Sequence, residues 1–135
     1  MIRKIAHIGV AVKNVEEVEK LYSEILGLPI TGREVSADNK VSFIPLGDTA
    51  IELLESVEPG GAIARHIEKR GEGIHHIALE VDNIEKSLEE LKAKGLALID
   101  QKPRRGAHGA KIAFLHPKGT YGVLLELCEP KKHEK

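Results

Sequence analysis

The feature that most constrains this chain is an internal repeat. HIGVAVKNVE near the start and HIALEVDNIE near the middle align without a gap, setting His7 on His76, Asn14 on Asn83, Val15 on Ile84 and Glu16 on Glu85. One copy of such a unit cannot bury its own apolar face, so two copies imply a shared architecture built twice. The element order repeats as well. Residues 5–12, IAHIGVAV, read as a strand with Ile8, Val10 and Val12 on one face and His7, Gly9 and Ala11 on the other. Asn14 is placed to cap a helix striped by Val15, Val18, Leu21, Tyr22, Ile25 and Leu26, which Gly27 stops. Strands near 28–36, 41–46 and 49–55 follow, separated by the turn pairs Asp38-Asn39 and Gly47-Asp48.

The second copy opens with strand 74–81, where His76, Ala78 and Glu80 face away from Ile77, Leu79 and Val81. Asn83 caps a helix striped by Ile84, Leu88 and Leu91 that ends at Gly95, and strands near 97–101, 110–115 and 121–128 complete the copy. The tail PKKHEK is expected to fray. The chain therefore reads as a single α+β domain. Module one covers about 4–56, a connecting helix about 61–71 and module two about 73–129, each module being β-α-β-β-β.

Composition narrows the function classes. A net charge of −1, with both signs interspersed, does not suggest a nucleic-acid or anionic-membrane surface. No apolar run reaches the roughly 18 residues of a membrane span, and MIRKIAHIGV lacks a signal-peptide pattern. The single Cys128 excludes an intrachain disulfide, so a cytoplasmic home is the default expectation. Aromatic residues at 3% argue against a base-stacking platform.

The last strands of the copies carry the chemistry. TAIELLE places Glu52 between Ile51 and Leu53, and GVLLELCE places Glu126 between Leu125 and Leu127. A carboxylate inside such a run is costly to bury unless it is paired or holds a metal. A lone strand histidine is more often a hydrogen-bonded residue than a ligand, and a lone strand glutamate more often faces solvent. The joint recurrence of His7, Glu52, His76 and Glu126 at duplicated positions favours a metal site. Two imidazoles and two carboxylates suit one divalent ion such as Co, Mn, Ni or Zn. A structural zinc site would favour cysteine, which the set lacks.

Paired βαβββ modules with this His/Glu pattern resemble the vicinal oxygen chelate (glyoxalase/bleomycin-resistance) superfamily. The segments that carry the resemblance are HIGVAVKNVEEVEKLYSEILGL, LGDTAIELLE, GEGIHHIALEVDNI and KIAFLHPKGTYGVLLELCE. Within the superfamily the chain is most similar to the methylmalonyl-CoA epimerase family, on GEGIHHIALEVDNI and on FLHPK followed by GVLLEL. The resemblance implies a glyoxalase-like fold, a curled mixed sheet around a metal cleft. It also implies a homodimer, an acyl-CoA substrate, and metal ligation by His7, Glu52, His76 and Glu126. His75 aligns with Ala6 and should point away from the metal.

The implied reaction moves a proton at C2 of methylmalonyl-CoA through an enolate. It needs a base on one face and an acid on the other. Glu126 is the expected base and Glu52 its partner. Some epimerases carry a glutamate on the preceding strand, whereas KVSFIPL here has none, and Glu34 and Asp38 are the nearest upstream. In the loop PRRGAHGAK, the amides of Gly106 and Gly109 could approach an anion, and Arg104, Arg105, Lys111 and Lys118 could meet the substrate carboxylate or the CoA phosphates. Lactoylglutathione lyase (glyoxalase I), with the same ligand order, and a metal-free binding module of the same fold are the competing readings.

Overall fold

The computed structural model describes residues 2–132. Residues 130–132 carry no regular secondary structure, and the rest of the tail expected to fray lies outside the described residues. The chain divides into two compact units, one of residues 7–75 and one of residues 76–132 with 2–6.

The first unit contains the second half of β1 (Ile2–Ala11), α1 (Val15–Lys20), β2 (Gly32–Ser36), β3 (Asn39–Leu46), β4 (Thr49–Ser56) and α2 (Ala62–Arg70). Its strand order is β2-β3-β4-β1, with β1 parallel to β4 and the other pairs antiparallel. The second contains most of β5 (Gly73–Val81), α3 (Ile84–Ala93), β6 (Arg104–Arg105), β7 (Lys111–Phe114) and β8 (Leu125–Glu129). Its order is β5-β8-β7-β6, the same order again, with β5 parallel to β8. The β-α-β-β-β repeat read from the sequence is thus present twice, in an eight-stranded mixed sheet.

The helices α1 and α3 begin by the same device. The Asn14 side chain accepts from Glu17 N and the Asn83 side chain from Lys86 N, satisfying an orphan donor of the first turn. A strand glutamate supplies a second acceptor: Glu55 Oε1 takes Val15 N at 2.8 Å, and Glu129 Oε1 takes Ile84 N at 2.9 Å. Their negative charge also suits the helix N-terminus. Gly27 and Gly95 end the helical segments in the left-handed region, at φ of 72° and 86°.

The cores follow the alternation of the strands. In the first unit Val12, Val15, Ile44 and Leu53 pack with Val10, Tyr22, Leu28 and Ile51. In the second, Val81, Ala113, Leu115 and Leu127 pack against Ile84 and Leu88 of α3. One face of each half-sheet is therefore a helix-covered core, and His7, Glu52, His76 and Glu126 belong by parity to the opposite face.

Four expectations need correction. The apolar stripe of α1 does not continue to Leu26. A π-helical turn, Leu21–Ile25, closes with Leu26 N donating to Leu21 O, and the extra residue per turn rotates the frame. Leu21, Ile25 and Leu26 are consequently exposed, Ile25 at 77%, while Glu19 is buried. The first hairpin turns at Ala37-Asp38, both at positive φ, one residue earlier than expected. Residues 97–101 form no strand but a single bridge, Leu98 with Leu115, because the Asp100 carboxylate takes Phe114 N from the ladder. Finally, β8 starts at Leu125 because residues 117–122 are a turn, with Tyr121 and Gly122 at positive φ.

Candidate metal centre

Strand register brings each histidine to its glutamate. In the first unit Gly9 of β1 lies opposite Glu52 of β4, and in the second Ala78 of β5 lies opposite Glu126 of β8. His7 and His76 each sit two residues earlier, on the same face. His7 Nδ1 is 3.1 Å from Glu52 Oε2, and His76 Nε2 is 3.4 Å from Glu126 Oε1. Three of these residues are deeply buried, with His7 8%, His76 5% and Glu126 3% exposed, and the Glu52 side chain is nearly so. Each buried His–carboxylate pair offers donors of a kind that suits a divalent cation of intermediate softness, and nothing in their composition suits a disulfide or iron–sulfur chemistry.

A second pair of residues recurs that the sequence reading passed over. Phe43 lies opposite Glu52 and Phe114 opposite Glu126, and they are the only 2 phenylalanines of the chain. The Phe114 ring meets the His76 ring edge-on, with centroids 5.5 Å apart and planes at 87°. Each glutamate thus has a phenylalanine directly across the ladder, on its own face of the sheet. The signal was available, since KVSFIP and KIAFLHP align as Lys-x-x-Phe.

His75 packs edge-on against His66 of α2, with centroids 4.9 Å apart. By strand parity its side chain leaves the opposite face from that of His76. Burial pushes the His66 imidazole below its ordinary range, and the Arg70 charge adds to this. Glu34 shares the His7/Glu52 face, because it pairs with Val41 two residues before Phe43.

A network unforeseen from sequence lies on the helix side of the first unit. Glu19 of α1 accepts from Arg33 Nε and Nη2, both at 2.7 Å, and from Ser42 Oγ at 2.6 Å. The Arg33 hydrogen bond holds the Glu19 carboxyl below its ordinary value, against the opposing effect of burial. A glutamate between Val18 and Lys20 gives no such signal in a one-dimensional reading.

At Gly106 the loop after β6 is built for close approach of backbone. A Cβ at Gly106 would lie 2.8 Å from Ile112 Cγ2, and the Gly106 amide already donates to Ala110 O. The expected use of that amide for an anionic group is therefore closed off.

Residues 6–114 match the glyoxalase/bleomycin resistance protein/dioxygenase superfamily. The chain is 37% identical over 131 residues to the mitochondrial methylmalonyl-CoA epimerase of Dictyostelium discoideum, covering 95% of this chain and 79% of that protein. It is 37% identical over 131 residues to the ethylmalonyl-CoA/methylmalonyl-CoA epimerase of Cereibacter sphaeroides, covering 94% and 98% of the two. Among solved structures, a variant of Streptomyces coelicolor methylmalonyl-CoA epimerase in complex with 2-nitronate-propionyl-CoA superposes with a TM-score of 0.92 at 29% identity. That match covers 100% of this chain and 99% of the other.

Proposed function

The chain belongs to the glyoxalase/bleomycin resistance protein/dioxygenase superfamily, and on that premise we propose that it is a methylmalonyl-CoA epimerase. The reaction is an isomerisation, a 1,1-proton transfer at C2 that interconverts the (2R) and (2S) thioesters. The observation that carries the assignment is the identity with epimerases across nearly the whole chain. The same observation disfavours the lyase, and the duplicated His–Glu pairs disfavour a metal-free binding module.

His7, Glu52, His76 and Glu126 would hold one divalent ion. The side chains of His7 and Glu52 adjoin one another in the first unit, and those of His76 and Glu126 in the second, which supports this reading. Bound there, such an ion supplies Lewis acidity to the substrate's carbonyl oxygen, lowering the cost of charge that develops when C2 loses its proton. The chain supplies the proton transfers. Glu126 is the base that takes the C2 proton, and Glu52 is the acid that returns one to the opposite face of the planar enolate. Phe43 and Phe114, each beside one of these carboxylates, restrict water that would compete for the carbanion. The name of the Cereibacter relative carries a second acyl group, ethylmalonyl, so a slightly larger C2 substituent is a reading to test in parallel.

Further parts of the proposal are a homodimer, supported by the exposed apolar group Leu21, Ile25 and Leu26, and a cytoplasmic setting, supported by the single buried thiol Cys128. No helix among the described residues is long and apolar enough to cross a membrane.

The deciding experiment incubates metal-loaded protein with one methylmalonyl-CoA epimer in deuterated water and follows C2 by NMR. The expected result is loss of the C2 proton signal with appearance of the other epimer. Rapid turnover of the methylglyoxal–glutathione hemithioacetal, with methylmalonyl-CoA inert, moves the assignment to the lyase.

A further inference from the structure

We propose that Arg104 is the residue that recognises the free carboxylate of the acyl group, so that the site selects malonyl-type thioesters over simple acyl thioesters. This rests on the acyl-CoA reading of the same site and adds a specificity residue to it.

The sequence offered four cations without ranking them, Arg104, Arg105, Lys111 and Lys118. Strand register ranks them. Arg104 lies opposite Ile112 of β7, and Phe114, two residues on, lies opposite Glu126. Directly opposed residues share a face, as do alternate ones along a strand, so Arg104 emerges on the face of His76 and Glu126. Arg105 lies opposite Lys111, on the other face. There Lys111 Nζ is 2.9 Å from Glu85 Oε2 of α3, and that bond holds its ammonium pKa above the ordinary value. Lys118 belongs to the turn before β8, where its amide is bonded to His116 Nδ1.

Arg104, whose side chain is 53% exposed, also makes two contacts on its face. Its guanidinium carbon sits 5.3 Å from the centroid of Phe114, whose ring abuts His76. Its Nε is 3.4 Å from Asp100 Oδ2, and that same oxygen accepts from Phe114 N at 2.8 Å. Asp100 therefore fixes both the cation and the strand that carries its aromatic platform. These contacts engage Nε and the flat face of the guanidinium. They leave the paired Nη nitrogens, the fork that fits a carboxylate, outside the set. At Gly106, just after β6, a Cβ would lie 2.8 Å from Ile112 Cγ2, the residue opposite Arg104.

A malonyl-type acyl group brings a carboxylate toward a face that already carries Glu126, and beside the charge of an ion the guanidinium fork offers that carboxylate a directional, bidentate partner. The CoA phosphates are the other anionic source. However, Arg104 stands only two ring contacts from His76, whereas the long pantetheine arm carries the phosphates many bonds away from the thioester.

Calorimetric titration of the metal-loaded protein separates these sources. Methylmalonyl-CoA and propionyl-CoA share every phosphate and differ in the acyl carboxylate. Arg104→Gln should weaken methylmalonyl-CoA binding by about 10- to 100-fold, the scale of a lost charge-assisted pair, and leave propionyl-CoA affinity unchanged. Arg104→Lys should recover part of the loss, because it keeps the charge without the fork. Equal weakening of both ligands shows a phosphate contact and overturns the proposal, as does no change in either. The readout is binding, so a wild type that binds with this selectivity yet exchanges no C2 proton sinks the epimerase assignment while Arg104 keeps its role.

Discussion

Glu19→Gln tests the buried network on the helix side of the first unit. The carboxylate takes three short hydrogen bonds, two from the Arg33 guanidinium and one from Ser42. Glutamine preserves shape but presents an amide NH2 to a donor, so at least one charge-assisted bond is lost and two donors are opposed. A hydrogen bond to a charged group contributes about 1.5–3 kcal/mol. The Arg33 side chain is 64% exposed, so solvent recovers part of this loss, and the net destabilisation should be about 1–2 kcal/mol. In urea the midpoint should fall by about 0.5–1 M at neutral pH. The pH dependence follows from the direction of the Glu19 shift. Its folded carboxyl lies below the ordinary 4.5, chiefly through Arg33, so the stabilisation is complete above that value and disappears as pH drops through the lower folded one. Wild type and variant should therefore converge in strong acid, where a protonated Glu19 resembles glutamine. Identical midpoints at neutral pH, or an undiminished gap in strong acid, would refute the assignment of charge-assisted bonding here.

Three further predictions address the metal and the proton. His7→Ala and His76→Ala should each weaken divalent-ion binding by on the order of 100-fold, measured by competition with a chromogenic chelator, since each removes one imidazole of the set; unaltered affinity in both variants would contradict the shared site. Glu126→Gln should slow C2 proton exchange by on the order of 100-fold or more, with metal content falling less. Glu52→Gln should let one epimer wash its proton into deuterated solvent while interconversion stalls, whereas full activity in that variant removes Glu52 from the acid role.

Much of the fold was legible because it is written twice. Asn14 and Asn83 cap where the repeat says they should, Gly27 and Gly95 stop the helical segments, and the connecting helix falls at Ala62–Arg70. Errors arose where one copy departs locally from regular periods. The π turn at Leu21–Ile25 breaks a 3.6-residue count without any proline or glycine to announce it. The strand expected near 97–101 is replaced by a side-chain bond from Asp100, a competition between side chain and ladder that residue propensities do not encode. The histidines and glutamates of the candidate site were readable from their recurrence. Arg104 could not be separated from Arg105, since neighbouring residues differ only in the face they take, and that face is set by pairing with β7.

The same parity explains why each last strand carries two glutamates with different work. Glu52 and Glu55 are three residues apart, as are Glu126 and Glu129, so in each pair the side chains leave opposite faces of the sheet. The outer glutamates, Glu55 and Glu129, reach the helix side and accept the first amides of α1 and α3. The inner ones stand beside His7 and His76. A helix N-terminus and a candidate ligand pair are thus fixed by one short strand, with only a few residues between them. A shift of register by one residue would put the capping carboxylate on the site face and the ligand carboxylate against the helix, disabling both at once. That coupling ties the position of Glu126 to the docking of α3 through Glu129, and the position of Glu52 to the docking of α1 through Glu55. Helix packing thereby becomes a determinant of where the site's carboxylates lie.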